Sequence, residues 1–305
     1  MTSSIARFCA SCLLLTLVAC APEPGDGPAN ETAQTDRAPE PVTGVVDSVG
    51  AYCFELTSAR DRVLLGEPLA LLVSLKNCSD QPVEVRNLLA PEYGLLGIRV
   101  GYLDSEQFYD PPVRRDGRGK GYVELAAGEA IAATIPVYFD RDGWLLDTPG
   151  QYSFQAEYLV DDIEVTSGRV TVQVDAPSSE KHQSAANSFM SPAAARYYFL
   201  GGGDDRGREA LRALAEEHPG TPWAAYASLG LAIDALSSST DAIHEVACQS
   251  LFASINDVEN DWISALRGYE ALSDCTGEKN SASDWARARD EFVHHYPVAK
   301  TILND

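Results

Sequence analysis

The fold is decided by the segment Leu146-Asp147-Thr148-Pro149-Gly150-Gln151-Tyr152-Ser153-Phe154, in which a turn leads directly into an extended run. Proline and glycine favour a turn because proline fixes φ and glycine tolerates positive φ. From Tyr152 to Val160, apolar and polar residues largely alternate, which is the period of a half-buried strand. The segment therefore predicts a turn followed by a long strand.

Strand-like runs continue on the N-terminal and C-terminal sides of this segment. They cover residues 53–56, 69–75, 83–85, 95–103, 122–125, 131–139 and 165–174. Turn residues separate them, and no helical period lies between them. The pattern predicts an antiparallel sandwich over residues 49–175 and argues against a βαβ fold.

Two turns carry a resemblance to a known class of domain. The segment 146–154 resembles the corner entering a late strand of immunoglobulin-like domains, where a tyrosine hydroxyl bonds to nearby backbone. The turn Leu125-Ala126-Ala127-Gly128-Glu129 resembles the one before the long middle strand of such bacterial domains. The resemblance implies an all-β immunoglobulin-like sandwich, an architecture that carries many unrelated functions.

The C-terminal part has a different period. Residues 176–190 are rich in serine and predict a linker, and residues 191–305 show the 3.6-residue period of helices. The passage from Ala210 through Pro219 to Gly230 resembles the junction between tetratricopeptide repeats, although only one such junction is present. The sequence thus predicts a separate all-α, tetratricopeptide-like domain after the sandwich.

The N-terminus has the layout of a bacterial secretion signal. Arg7 precedes the apolar run Leu13–Val18, and Leu17-Val18-Ala19-Cys20 resembles the lipobox of bacterial lipoproteins. The resemblance implies removal of residues 1–19 and acylation of Cys20, which would anchor the chain to a membrane by several acyl chains. Because Ala21 is not aspartate, the resemblance implies sorting to the outer membrane if the host has one. A plain signal peptide with an incidental cysteine is the alternative.

Composition limits the possible partners. The formal net charge is −22, and it becomes −23 without residues 1–19 because that segment holds one arginine and no acid. So acidic a chain repels nucleic-acid phosphates and anionic lipid head groups. Residues 20–48 alternate proline with acidic and small residues and predict a disordered tether behind the lipidated cysteine.

Four further cysteines divide between the two regions. Cys53 and Cys78 fall in the β region, and Cys248 and Cys275 fall in the helical region. An even number in each region of a secreted protein predicts the disulfides Cys53–Cys78 and Cys248–Cys275. A metal site is not predicted, because no pair has CxxC spacing and no histidine cluster accompanies them.

Motifs for catalysis or cofactor binding are not found in the sequence, so the prediction is a non-enzyme without a cofactor. His294-His295 predicts a solvated helix end, and Gly201-Gly202-Gly203 predicts a break between helices. Asp140-Arg141-Asp142-Gly143 resembles the start of a calcium loop, to which Asp147 could contribute, but it lacks the third acidic ligand and the terminal glutamate and so predicts a turn. No serine lies in a Gly-x-Ser-x-Gly elbow.

A glycine-rich loop over residues 113–121 stands out in this acidic chain. Its basic residues are Arg114, Arg115, Arg118 and Lys120. Loops at sheet ends often carry binding residues, so this loop could bind an acidic partner or anionic glycan. A solvated hairpin whose charges balance nearby carboxylates is the alternative, and the sequence favours it.

Three functions are compatible with these features. The favoured one is a non-catalytic cell-envelope module that binds another envelope protein, with the membrane reached through its lipid. The second is an inhibitor or accessory subunit of a secreted peptidase. The third is an enzyme with an unrecognised site, which converging carboxylates in a pocket would indicate.

Overall fold

The computed structural model describes residues 42–44, 47–117, 121–239, 241–258, 261–273, 275, 281–297 and 299–303. All of them lie in one compact unit, Ala38–Asp305. The predicted signal peptide and Cys20 lie outside the described residues, as does most of the tether, so the predictions made for them stay predictions.

Strands occupy the first part of the described chain. They are β1 (Val42–Thr43), β2 (Asp47–Val49), β3 (Tyr52–Ser58), β4 (Arg62–Leu64), β5 (Ala70–Asn77), β6 (Val83–Arg86), β7 (Leu96–Tyr102), β8 (Ser105–Phe108), β9 (Tyr122–Leu125), β10 (Ala130–Pro136), β11 (Phe139–Asp140), β12 (Gly143–Trp144), β13 (Gly150–Val160), β14 (Ile163–Thr166) and β15 (Val170–Asp175). A short 3-10 helix, Pro91–Tyr93, precedes β7.

Most of these strands form two sheets. In the first, the order is β1-β3-β5-β10, and β2 also pairs with β3. In the second, the order is β4-β15-β13-β7-β8, and β14 also pairs with β13. Two-stranded ribbons form from β6 with β9 and from β11 with β12. Pairing is antiparallel except between β4 and β15, where Val63 lies opposite Val174 in parallel register.

Strand β13 shows why the sequence forms these sheets. Its apolar positions at every second residue are buried: Tyr152, Phe154, Ala156, Tyr158 and Val160. The Tyr152 hydroxyl donates a hydrogen bond to the carbonyl of Thr148 at 3.0 Å, the contact that the sequence predicted for this corner. Phe54 of the first sheet and Tyr158 of the second have ring centroids 6.0 Å apart, within a hydrophobic cluster that both sheets share.

Helices make up the rest of the described chain. They are α1 (Glu180–Phe189), α2 (Pro192–Leu200), α3 (Asp205–Glu217), α4 (Pro222–Ser237), α5 (Asp241–Asn256), α6 (Trp262–Leu272), α7 (Ser281–His295) and α8 (Ala299–Leu303). Asp204 and Thr221 cap α3 and α4 through their side-chain oxygens, and Pro222 opens α4 at the first helical position. No helix among the described residues is long and apolar enough to cross a bilayer.

Helix α1 differs from the sequence expectation, because it lies within the segment 176–190 that predicted a linker. The Ser179 hydroxyl accepts a hydrogen bond from the backbone N–H of His182, which caps the helix. Ala185, Ala186 and Phe189 are fully buried. Burial of these three apolar side chains stabilises a helix that the polar composition of the segment did not indicate.

The prediction of an immunoglobulin-like sandwich followed by a separate all-α domain is wrong. The second sheet is mixed, whereas two antiparallel sheets were predicted. The helices are not separate either, because Tyr138 and Phe139 of the β region share a hydrophobic cluster with Tyr198 and Phe199 of α2. The physical reason is that periodicity indicates which faces are apolar, but not what covers them.

Candidate functional site

The described helices line an open groove with two adjoining depressions of about 790 and 480 Å³. They share Ser228 and Asp257, so they are continuous. We call this surface the helical groove. Its lining residues are Arg208, Arg212, Ala215, Pro219, Gly220, Thr221, Pro222, Ala224, Ala225, Ser228, Leu231, Ala232, Asp234, Ala235, Ser238, Ser250, Ala253, Ser254 and Asp257.

The periodicity of three helices brings these residues together. On α5 the lining residues are Ser250, Ala253 and Ser254, and Asp257 follows the helix. Positions i, i+3, i+4 and i+7 lie on one side of a helix, so they form a stripe. Corresponding stripes occur on α3, from Arg208 to Ala215, and on α4 and its C-cap, from Ser228 to Ser238. Most side chains in the stripes are alanine or serine, which lets a ligand approach the helix backbones closely.

Arg208 is held in place at one side of the groove. Its Nε donates to the Asp234 carboxylate at 3.0 Å and to the Tyr197 hydroxyl at 3.2 Å. Its Nη1 donates to Asp205 at 2.7 Å. The hydrogen bonds with Asp234 and Tyr197 raise the pKa of Arg208 above its ordinary value. The charges of Arg208 and Asp234 therefore neutralise each other, and the two residues affect the shape of the groove more than its net charge.

Arg212 and Asp257 are the charged groups of the groove that remain available to a ligand. Both are exposed, and neither makes an ion pair with another residue in the described part of the chain. The planar guanidinium of Arg212 donates hydrogen bonds, and the carboxylate of Asp257 accepts them. The groove can therefore bind one negative and one positive group of the same ligand.

Serine hydroxyls add hydrogen-bonding capacity to the walls. Ser228 donates to the carbonyl of Ala224 at 2.9 Å, and Ser254 donates to that of Ser250 at 3.0 Å. Because each proton is used within its own helix, the oxygen of the half-buried Ser228 remains available to a ligand as an acceptor, whereas Ser254 is buried. Such an acceptor suits a backbone N–H group of a peptide.

The basic loop predicted from the sequence is only partly described. Arg114 Nη2 contacts Asp110 at 2.6 Å, and its Nη1 lies 3.4 Å from the carbonyl of Pro91. Arg115 is exposed, and its backbone N–H donates to the backbone carbonyl of Glu92 at 2.9 Å. Arg118 and Lys120 lie outside the described residues. Arg114 is thus paired locally, and the binding role of the loop stays a prediction.

Both predicted disulfides, Cys53–Cys78 and Cys248–Cys275, are present. His244 lies near the second of them: its ring and the two sulfur atoms offer ligand atoms within 4.8 Å of one another. This group was not predicted from the sequence, because Cys275 lies 27 residues after Cys248. The signal that could have found it is His244 four residues before Cys248, one helical turn away.

The remaining motif predictions concern local structure. The Asp140 carboxylate accepts the backbone N–H groups of Asp142 and Gly143 at 2.8 and 3.0 Å, which closes a turn. Gly201 ends α2 with a positive φ of 73°, at the predicted break between helices. His294 and His295 are exposed at the end of α7, as expected for a solvated helix end.

A buried ionic network was not anticipated from the sequence. Arg60 Nη1 lies 2.9 Å from Glu67, and its Nη2 lies 3.4 Å from Asp261. Asp261 also accepts hydrogen bonds from the hydroxyls of Tyr226 and Ser264 at 3.1 and 2.6 Å. These carboxylates converge on a cation and not on the groove, so we assign them a structural role.

Comparison with known proteins gives no family for this chain. No family model matches it, and no curated protein matches it. Solved structures similar to parts of it include a β-glucosidase from Erythrobacter marinus, with 16% identity, 40% of this chain and 15% of that chain covered, and a TM-score of 0.24. The chain thus spans a small fraction of that enzyme.

Two other similar structures come from different classes of protein. The sporulation control protein Spo0M of Bacillus subtilis is 12% identical, with 50% of this chain and 55% of that chain covered and a TM-score of 0.27. A CARDB domain from Pyrococcus furiosus is 16% identical, with 46% and 96% covered and a TM-score of 0.23. Scores this low support no argument about fold or function.

Proposed function

We propose that this chain is a non-catalytic cell-envelope lipoprotein that acts as a protein-interaction module, and that the helical groove binds a peptide segment of its partner. The observation that carries the proposal is the groove itself, a continuous surface rich in alanine and serine that holds Arg212 and Asp257 without ion-pair partners among the described residues.

The charges of the chain indicate what kind of partner fits. A net charge of −22 attracts basic proteins over distances of about one Debye length. Within the groove, Asp257 would pair with a lysine or arginine of the bound segment, and Arg212 with an acidic side chain. We therefore expect a basic partner whose bound segment is extended, has small side chains and carries both charges.

Photo-crosslinking in cells tests this binding surface. A crosslinking amino acid at Ala253, in the groove, should capture one defined protein, because any occupant must contact this wall. Ala213 is a matched control, since it is an exposed alanine on α3 outside the groove. Equal capture at positions 213 and 253 would contradict the proposal.

Binding of the captured partner then tests the two charges. With purified proteins, Arg212→Glu and Asp257→Lys should each weaken binding about two- to fivefold, the effect of losing an exposed ion pair. Ala253→Trp should abolish binding because its indole fills the groove, whereas Ala213→Trp should leave the affinity unchanged. Unchanged affinity in all variants would show that the partner binds elsewhere.

Anchoring at Cys20 completes the proposed function and needs its own test. It is supported by the segment Leu17-Val18-Ala19-Cys20. Cells fed a palmitate analogue should label the wild type but not Cys20→Ser, and the variant should leave the membrane fraction. Labelling of the variant, or its sedimentation with membranes, would argue against an anchor at this residue.

A further inference from the structure

We propose that His244, Cys248 and Cys275 form a metal site that opens when the Cys248–Cys275 disulfide is reduced. The ligand atoms of these three residues lie within 4.8 Å of one another. Two thiolates and an imidazole are a typical ligand set for zinc, with water in a fourth position. The inference does not depend on the helical groove or on the lipid anchor.

The backbone already places the three ligands. His244 and Cys248 are one turn apart on α5, so their side chains lie on the same side of the helix. The Cα atoms of Cys248 and Cys275 are 6.1 Å apart. In a tetrahedral zinc site, bond lengths of about 2.3 Å to sulfur and 2.0 Å to nitrogen put the ligand atoms roughly 3.5 to 4 Å apart. Side-chain rotation after reduction is enough to reach these distances.

The surroundings of these three residues favour a defined metal site over nonspecific metal binding. Cys248 and Cys275 are buried, and His244 is half-buried. The Ser239 hydroxyl lies 2.9 Å from Nδ1 of His244, a hydrogen bond that fixes the ring orientation. Hydrogen bonds to a ligand histidine are typical of protein metal sites because they orient the imidazole.

A cavity gives access to the disulfide. Cys275 lines an opening of about 150 Å³, together with Tyr269, Leu272, Trp285 and Arg289. A small dithiol or a metal ion can therefore approach Cys275 without unfolding of α5 or α6.

The chemistry balances with a dithiol as reductant. The disulfide takes two electrons and two protons and becomes two thiols, while the reductant becomes a disulfide. A divalent ion then displaces both thiol protons and binds the two thiolates, and His244 contributes a nitrogen lone pair without losing a proton. A disulfide oxidant reverses the sequence: it takes up the two electrons and becomes a dithiol, while Cys248 and Cys275 form their disulfide again and release the ion.

The other disulfide is an internal comparison. Cys53 and Cys78 are also joined, but among the described residues no third histidine, cysteine or carboxylate completes a ligand group with them. Only the helical disulfide is thus expected to become a metal site.

Cobalt(II) titration of the full-length protein tests the proposal, because thiolate ligands give an intense charge-transfer band. The reduced protein should bind one Co²⁺ with this band, and the oxidised protein should not bind it. His244→Ala should weaken binding at least about tenfold, since even outer ligand partners contribute that much. His294→Ala is a matched control on an exposed histidine and should bind like the wild type.

Two further variants separate the site from unfolding and from the other cysteines. Cys53→Ser/Cys78→Ser should keep the cobalt band, and Cys248→Ser/Cys275→Ser should lose it. Circular dichroism should show that reduced, metal-bound protein keeps its helical signal. Binding that is unchanged in His244→Ala, or a helical signal that is lost on reduction and not restored by metal, would overturn the proposal.

Discussion

Arg60 of the β region and Asp261 of the helical region form an ion pair across 201 residues, with Nη2 and Oδ2 3.4 Å apart. Their side chains are only 16% and 4% exposed. Burial lowers the pKa of Arg60, but the electrostatic effects of Tyr226, Asp261 and Glu67 outweigh it and raise that pKa. Arg60 therefore stays charged, and its ion pair with Asp261 joins the sheets to the helices.

Removal of Asp261 should destabilise the protein strongly. Asp261→Ala leaves Arg60 buried without one of its counter-charges and also removes the side-chain cap of α6, so we expect a loss of about 3 to 5 kcal/mol in the free energy of unfolding. Urea unfolding of the variant and the wild type measures this loss. The control is Asp175→Ala, which breaks the exposed pair with Arg62 and should cost at most about 1 kcal/mol. Equal losses would refute a structural role for Asp261.

Tyr158 should make stability depend on alkaline pH. Burial raises the pKa of Tyr158 to about 12, against about 10 in an unfolded chain. Between these values the unfolded chain releases the proton first, so the contribution is complete below pH 10 and is lost as pH rises towards 12.

The variant Tyr158→Phe isolates this effect. At pH 7 it should be less stable by about 1 kcal/mol, because the hydrogen bond to the carbonyl of Arg86, 2.7 Å long, is lost. Above pH 10 the difference from the wild type should shrink. Denaturant unfolding at pH 7 and pH 11 measures both, and a constant difference would contradict the assigned pKa direction.

Leu103 is strained at the tip of the β7–β8 hairpin. It has a φ of 51° and an 85% exposed side chain, so no burial offsets the strain. Leu103→Gly should raise the free energy of unfolding by about 1 kcal/mol. The neighbouring Asp104 has no positive φ, and Asp104→Gly should instead lower it by about 0.5 to 1 kcal/mol. A change of the same sign in the free energy of unfolding of both variants would argue against backbone strain at Leu103.

The Cys53–Cys78 disulfide should contribute substantially to stability. It closes a loop of 25 residues, for which the loss of chain entropy in the unfolded state corresponds to about 3 kcal/mol. Calorimetry of Cys53→Ser/Cys78→Ser should show a lower melting temperature by several degrees. A melting temperature equal to that of the wild type would mean that the unfolded chain is compact without this bond.

Local signals predicted part of this fold correctly. The strand at Tyr152–Val160, the hydrogen bond from Tyr152 to Thr148 and both disulfides follow from short-range patterns or from cysteine number. These features need no knowledge of how distant segments pack.

Long-range packing could not be predicted from the same patterns. Leu71, Leu72 and Val73 form a continuous buried run, because Leu72 packs with Trp262 on one face of the sheet while its neighbours face the other. Such a run is typical of a strand covered on both faces, a signal that would have indicated the docked helices. The helical groove was missed for a related reason: alanine and serine at helical spacing do not distinguish an interface from a groove.

The parallel pairing of β4 with β15 has a consequence for how the molecule is made. Residues that are about 110 positions apart must meet, so β4 leaves the ribosome long before its partner exists. At a synthesis rate of 5 to 20 residues per second, β4 waits roughly 5 to 20 s for β15. Closing so long a loop is entropically costly, and during that delay the backbone groups of β4 that will bond to β15 are open to pairing with another chain.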